Sequence, residues 1–245
     1  MQNRIFSTDS PKAVKSLGYG YLNAIHYMAP HDIAGVGNLC PRSTAGCRAL
    51  CLGLWSGQAS MVSRNTTQDQ GNSVRASRKA KARRFMRDRA AYMRDIVRAI
   101  ELAERKATRD KLTLCVRMNG STDIAWEGVA CERNGLRYRN LFEAFPALQF
   151  VDYTKIAARL KRALPVNYHL TLSRAETNEV ECIDALGQGH NVAVVFRSAR
   201  PATWHGFTVI DGDKHDLRHL DPKGVVVGLS PKGRKAKRDR SGFVV

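Results

Sequence analysis

Beyond residue 110 short apolar runs alternate with segments of helical character, and this alternation constrains the fold more than any other feature of the chain. Residues 112–118 (LTLCVRM), 148–152 (LQFVD), 166–172 (VNYHLTL), 191–196 (NVAVVF), 207–210 and 224–229 (GVVVGL) read as strands, with 19–28 (YGYLNAIHYM) as an earlier one. Several are near-continuous apolar runs, the pattern of parallel strands buried on both faces. Residues 136–145, 156–164 and 177–186 read as helices, the first stopped by Pro146 and the last by Gly187. Residues 73–108 contain neither Gly nor Pro and place apolar side chains at near-helical spacing, which predicts one long helix or two in tandem. Strand–helix alternation implies an α/β sheet or barrel. Seven candidate strands are few for a closed eight-stranded barrel. The expectation is a partial or irregular (β/α) barrel, with an open doubly wound sheet as the alternative. A chain of 245 residues without repeats or a long linker is expected to form a single α/β domain over 1–245.

The loop after the first strand carries the densest chemistry. Cys40, Cys47 and Cys51 follow a C-x6-C-x3-C spacing within twelve residues. Soft thiolates so placed suit an iron–sulfur cluster or zinc. Three ligands leave one position open on a cubane cluster, whereas zinc needs a fourth ligand, for which His26 or His31 is nearest. The plainer alternative is three thiols without metal. Radical S-adenosylmethionine enzymes are similar in holding three cysteines after their first barrel strand. Their usual C-x3-C-x2-C spacing is absent here, so the likeness is one of arrangement, and it implies S-adenosylmethionine as a possible cosubstrate. Cys115 and Cys182 read as buried thiols, while Cys131 stays open. Trp55, Trp126 and Trp204 are expected to pack rather than to stack a base.

Charge narrows the partner. Forty Lys and Arg against twenty-two Asp and Glu give a formal charge of +18. That excess points to a polyanion, nucleic acid before an acidic membrane surface. No apolar run approaches the roughly 20 residues of a membrane span, and residues 1–11 show no secretion signal, so a cytoplasmic protein with reduced thiols is expected. Two segments concentrate the charge: the helical region 73–108, with eight basic side chains in 75–89, and the C-terminal segment 231–240, with six. Arg75, Arg78, Lys79, Arg83, Arg84, Arg87, Lys232, Arg234, Lys235 and Lys237 are the candidate nucleic-acid contacts. A solvated face is the alternative for each segment.

Polar residues recur just past strand ends: 119–123 (NGSTD), 152–155 (DYTK), Thr171, Ser173 and Glu176, and 211–216 (DGDKHD). In a parallel sheet these converge on one rim, together with the cysteine loop. Asp123 and Asp152 are the candidate bases or nucleophiles, Lys155 a candidate acid or anion holder, and Asp213 a further catalytic candidate. Turn formation and helix capping are the competing roles.

The stretch from Leu17 to Gly53 with its Cys-Pro…Cys…Cys-Leu core resembles a bacteriophage family described as gene product 88. So do VRMNGSTDIAWE (116–127), FVDYTK (150–155), NYHLTLS (167–173), FTVIDGDKHDLRHLD (207–221) and the ending GLSPKGRKAKRDRSGFV. The resemblance covers most of the chain and implies phage origin, action in the host cytoplasm and a reused site. Two functions follow. One is a metal- or iron–sulfur-containing enzyme that modifies nucleic acid or nucleotides, by radical S-adenosylmethionine-like or transglycosylase-like chemistry; a base in duplex DNA would first be flipped out. The other is a zinc-stabilised nucleic-acid-binding or host-inhibitory protein without catalysis.

Overall fold

The computed structural model describes residues 4–55 and 72–245; the side chain of Trp55 also falls outside it. A short strand β1 (Phe6–Ser7) precedes α1 (Pro11–Leu17), whose first turn is capped by the Ser10 side chain accepting from the Ala13 N–H. The first parallel strand, β2 (Tyr21–His26), leads into the cysteine loop, which contains the short helices α2 (Ala45–Ala49) and α3 (Leu52–Trp55). Two helices follow in tandem, α4 (Ser73–Arg87) and α5 (Arg89–Arg109). They break at Asp88, which leaves helical geometry at φ −141° and caps α5 by accepting from the Ala91 N–H.

The remaining elements are β3 (Thr113–Arg117), a hairpin of β4 (Cys131–Arg133) and β5 (Leu136–Tyr138), α6 (Leu141–Ala144), β6 (Gln149–Thr154), β7 (Tyr168–Ser173), α7 (Glu179–Gly187), β8 (Val192–Val195), β9 (Thr203–Trp204), β10 (Phe207–Asp211), β11 (Val226–Leu229) and α8 (Gly233–Lys237). The main sheet runs β1-β2-β3-β6-β7-β8-β11-β10-β9 among the described residues. The seven strands read from the sequence are its mutually parallel members, and β1 and β9 pair antiparallel at the two edges. From β2 to β8 the order advances in one direction, without the reversal of a doubly wound sheet. The described strands do not close into a barrel.

Two sequence expectations fail locally. Residues 136–145 do not form one helix: β5 takes the first three and α6 only Leu141–Ala144. Asn134 and Gly135 both have positive φ (51° and 75°), which makes a tight hairpin turn and commits the following residues to a strand. Residues 156–164 hold only a single 3-10 turn at Ala157–Arg159.

Alternation separates the faces of the sheet. Leu22, Ala24, Leu114, Val116, Phe150, Leu170, Leu172, Val192 and Val194 point toward α4–α7 and form the main core with Phe85, Tyr92, Ile96, Ile100 and Phe142. The opposite face carries Cys115 and Val151, which pack on Leu217 and Tyr21. That face is covered by the β10–β11 connection, which holds a 3-10 turn at Arg218–Leu220 and is met by Lys12 and Lys15 of α1. Asp216, within it, is fully buried, meets Arg117 of β3 at 2.5 Å and accepts from Tyr153 of β6 at 3.0 Å.

Candidate functional site

The parallel strands end on one rim, and the cysteine loop lies there. His31 holds a left-handed backbone (φ 36°) and turns its N–H onto the Cys40 Sγ at 3.3 Å. The same sulfur lies 3.7 Å from the Ser121 carbonyl, in the loop after β3. Cys47 sits inside α2, whose N-cap Thr44 accepts from the Cys47 N–H at 3.2 Å. Glu176, just past β7, binds that helix start with both carboxylate oxygens: Oε1 accepts from Gly46 N and Oε2 from the Thr44 hydroxyl, each at 2.7 Å. The approach requires glycine, since a Cβ at position 46 would stand 2.5 Å from the Ser241 Oγ and 2.9 Å from the Glu176 carboxylate.

All three thiols are free and half-buried. Burial pushes Cys40 up to about 12 and Cys51 to about 11, and raises Cys47 as well. The sulfurs feel one another: Cys47 and Cys51 add to the shift of Cys40, and Cys47 to that of Cys51. Asp123 raises both Cys40 and Cys47, while Lys155 opposes the rise of Cys47. Loop, Asp123, Lys155 and Glu176 therefore form one electrostatic neighbourhood. Among the described residues no three His, Cys, Asp or Glu groups are gathered into a ready-made metal site.

The carboxylates expected to be catalytic are held differently. Asp123 accepts from the Thr154 hydroxyl (2.7 Å), the Lys155 N–H (2.8 Å) and Arg159 Nη1 (3.2 Å). Both oxygens are thus engaged in tying the β3 loop to the end of β6. Asp152 is fully buried and accepts from Asn119 N (2.6 Å), Asn119 Nδ2 (3.2 Å) and the Tyr168 hydroxyl (2.9 Å). Burial pushes it up to about 7, against the Asn119 N–H and the Arg117 and Arg159 charges. Neither caps a helix of its own. Asn119 in turn accepts from Thr122, Ile124 N and Trp126 Nε1, which shapes the NGSTDIAW segment. Asp213 stands apart with other partners: Lys232 at 3.0 Å, Arg200 and the Ser230 N–H. Lys155 Nζ donates to Ser173 Oγ at 2.7 Å and lies 5.1 Å from the centre of the Phe243 ring.

The basic helix does work that its composition does not announce. Arg75 is buried and donates to the Leu54 carbonyl at 2.7 Å, and Arg78 donates to the Gly53 carbonyl at 2.5 Å and lies over the Tyr27 ring. Both anchor the chain directly after Cys51. Arg83 donates to the Ala34 carbonyl, and Arg84 meets Asp95 at 2.5 Å. Arg87 is exposed, and Lys79 is half-buried.

The C-terminal segment folds back onto the rim. Val245 pairs beside the end of β8, its N–H donating to the Val195 carbonyl; Arg174 donates to the Gly242 and Phe243 carbonyls, and Arg197 to that of Asp239. The fold brings Arg234, Lys235, Arg238 and Arg240 beside Arg48 of the cysteine loop around an open cavity of about 630 Å³. Sequence reasoning placed charge in both segments but had no signal that the tail and the thiol loop share a wall.

The family model described as Gene product 88 matches residues 3–245, and the chain belongs to that phage-type family. No curated protein and no solved structure matches it. No helix among the described residues is long and apolar enough to cross a membrane.

Proposed function

We propose that this gene product 88 protein is an enzyme that acts on nucleic acid or nucleotides and holds a soft-metal centre on Cys40, Cys47 and Cys51. One observation carries the reading: three free thiols from a single loop share one electrostatic neighbourhood over the carboxyl ends of the parallel strands, where α/β proteins place ligands. The donor set fits an iron–sulfur cluster with one iron left without a protein ligand, which would supply redox or Lewis-acid chemistry and could take S-adenosylmethionine. Because burial keeps the thiols protonated at neutral pH, loading would release protons and depend on pH. Lys155 and Arg48 beside Cys47, and Arg78 beside Cys51, are cations of the centre. Asp123 and Asp152, with their oxygens committed, act as positioning groups, and Asp213 is engaged by Lys232, Arg200 and the Ser230 N–H.

A zinc centre is the second reading, favoured by His31. Its Nδ1 lies 2.6 Å from the Asp32 carboxylate and its buried Nε2 has no partner among the described residues, the arrangement of a carboxylate-oriented metal ligand. Anaerobic purification followed by metal analysis decides. Iron, acid-labile sulfide and a visible absorbance support the cluster. Stoichiometric zinc in a colourless protein supports the second reading, and protein free of metal defeats both.

A further inference from the structure

We propose that the open cavity behind the cysteine loop binds the phosphate end of a nucleotide-sized ligand. Its volume, about 630 Å³, lies within the roughly 300–1,000 Å³ of small-molecule sites. Five cationic side chains face it: Arg48 from the loop and Arg234, Lys235, Arg238 and Arg240 from the C-terminal segment. The single carboxylate in its lining, Asp239, is already taken by the Ser241 and Val244 N–H groups, and the exposed Asp32, outside the lining, reaches only Arg48 of the five, at 3.8 Å among the described residues. Like charges gathered in one concavity repel, and an anion there relieves the repulsion. Guanidinium groups match phosphate oxygens with two parallel N–H bonds. Ile33, Leu50 and Leu54 supply an apolar wall on which a sugar or base can rest. The cavity exceeds the size of inorganic phosphate, and its charge calls for more than one negative group, as in a nucleoside diphosphate.

The cavity is a folded feature and not a loose tail, since the tail is fixed by Arg174, Arg197 and the pairing of Val245 beside β8. Ala49 and Leu50, between Cys47 and Cys51, form part of its wall, so a ligand seated there lies against the thiol loop. The inference rests on the proposed function for the ligand class alone; the binding it describes does not require the metal.

Calorimetric titration of the full-length protein with ADP, pyrophosphate, adenosine and a short single-stranded oligonucleotide tests it. ADP is expected to bind stoichiometrically, pyrophosphate to compete, and adenosine to bind at least about tenfold more weakly. Arg234→Glu with Arg238→Glu, both on exposed residues, should weaken ADP about tenfold or more. The same charge change on the exposed face of α5, Arg94→Glu with Arg98→Glu, should leave ADP binding within about twofold. Equal loss in both double variants would mean a general field effect and overturn the site. Saturable oligonucleotide binding without ADP binding would assign the charge to a polymer surface and overturn it too. Metal content of the same preparations separates the two proposals: ADP binding that persists in metal-free protein leaves this inference standing while the proposed centre falls.

Discussion

Two regions of the molecule handle arginine charge in opposite ways. Around Arg159, only 3 % exposed, each guanidinium nitrogen has a partner: Glu127 takes Nε and Nη2, Asp123 takes Nη1, and Tyr168 accepts from Nη2 and donates its own hydroxyl hydrogen bond to Asp152. Around the cavity, five basic residues share the lining with one carboxylate that is otherwise engaged, and Arg48 also reaches the exposed Asp32 at 3.8 Å. A closed network fixes geometry, and removing a member leaves a buried charge uncompensated. An open cluster adds little to stability, so its concentration in one place calls for a ligand. The contrast separates residues that look alike in the sequence into scaffold and site.

The largest expected effect breaks the closed network. Arg159→Met leaves Asp123 and Glu127 without their cation and should cost about 3–5 kcal/mol, enough to lower the urea midpoint sharply or prevent folding. Arg238→Glu, in the open cluster, should change stability by less than about 0.5 kcal/mol. Comparable losses from the two variants would erase the distinction between the regions.

Next comes the pH dependence of Asp152. Its carboxyl, near 3.8 when unfolded, is pushed up to about 7 by burial. The folded state therefore holds the proton more tightly. The resulting stability is complete below about pH 4 and is lost as pH rises toward 7, with a slope of up to about 1.4 kcal/mol per pH unit. Asp152→Asn keeps an oxygen for the Asn119 N–H and should flatten the stability profile between pH 4 and 7 in urea titrations. An unchanged slope would show that Asp152 ionises freely in the fold.

How much of this was legible follows from where the information resides. Parallel strands buried on both faces announce themselves as apolar runs, so all seven could be read, as could the position of the cysteine loop after β2. The Asn134-Gly135 pair is a turn signal in the sequence, and the helical reading of 136–145 overlooks it. Residues 156–164 mimic a helix because Ile156 and Leu160 fall at its period, while Arg159 is pulled inward by Glu127 and Asp123 and the segment stops at one turn. Arg75 and Arg78 read as part of a cationic face because nothing local says that the carbonyls of Leu54 and Gly53 wait for them. Partners far along the chain are what composition cannot reveal, and they are what divides structural from functional charge.

A third effect concerns the thiols. Replacing Cys40, Cys47 and Cys51 together with Ser should abolish bound iron or zinc, whereas Cys115→Ser and Cys182→Ser, at fully buried positions, should leave the metal stoichiometry intact. Full metal retention in the triple variant removes the proposed centre.

The smallest effect sharpens the comparison within α4 itself. If nucleic acid lies along this helix, its contacts must come from side chains that can leave their present partners cheaply. Arg75 and Arg78 cannot, since each satisfies a carbonyl beside the cysteine loop. Arg83 and Arg84 are exposed but partnered, to the Ala34 carbonyl and to Asp95, and Arg87 is exposed. Surface pairs of the Arg84–Asp95 kind are worth at most about 1 kcal/mol, so a phosphate can displace them. Arg83→Glu, Arg84→Glu and Arg87→Glu combined should therefore weaken oligonucleotide binding modestly and lower the slope of log affinity against log salt by up to about three phosphate contacts. Arg78→Ala should instead act on the thiol loop, reducing metal content while leaving the salt slope alone. If Arg78→Ala changed the salt slope and spared the metal, the helix would be a nucleic-acid surface along its whole length and not the support of the cysteine site.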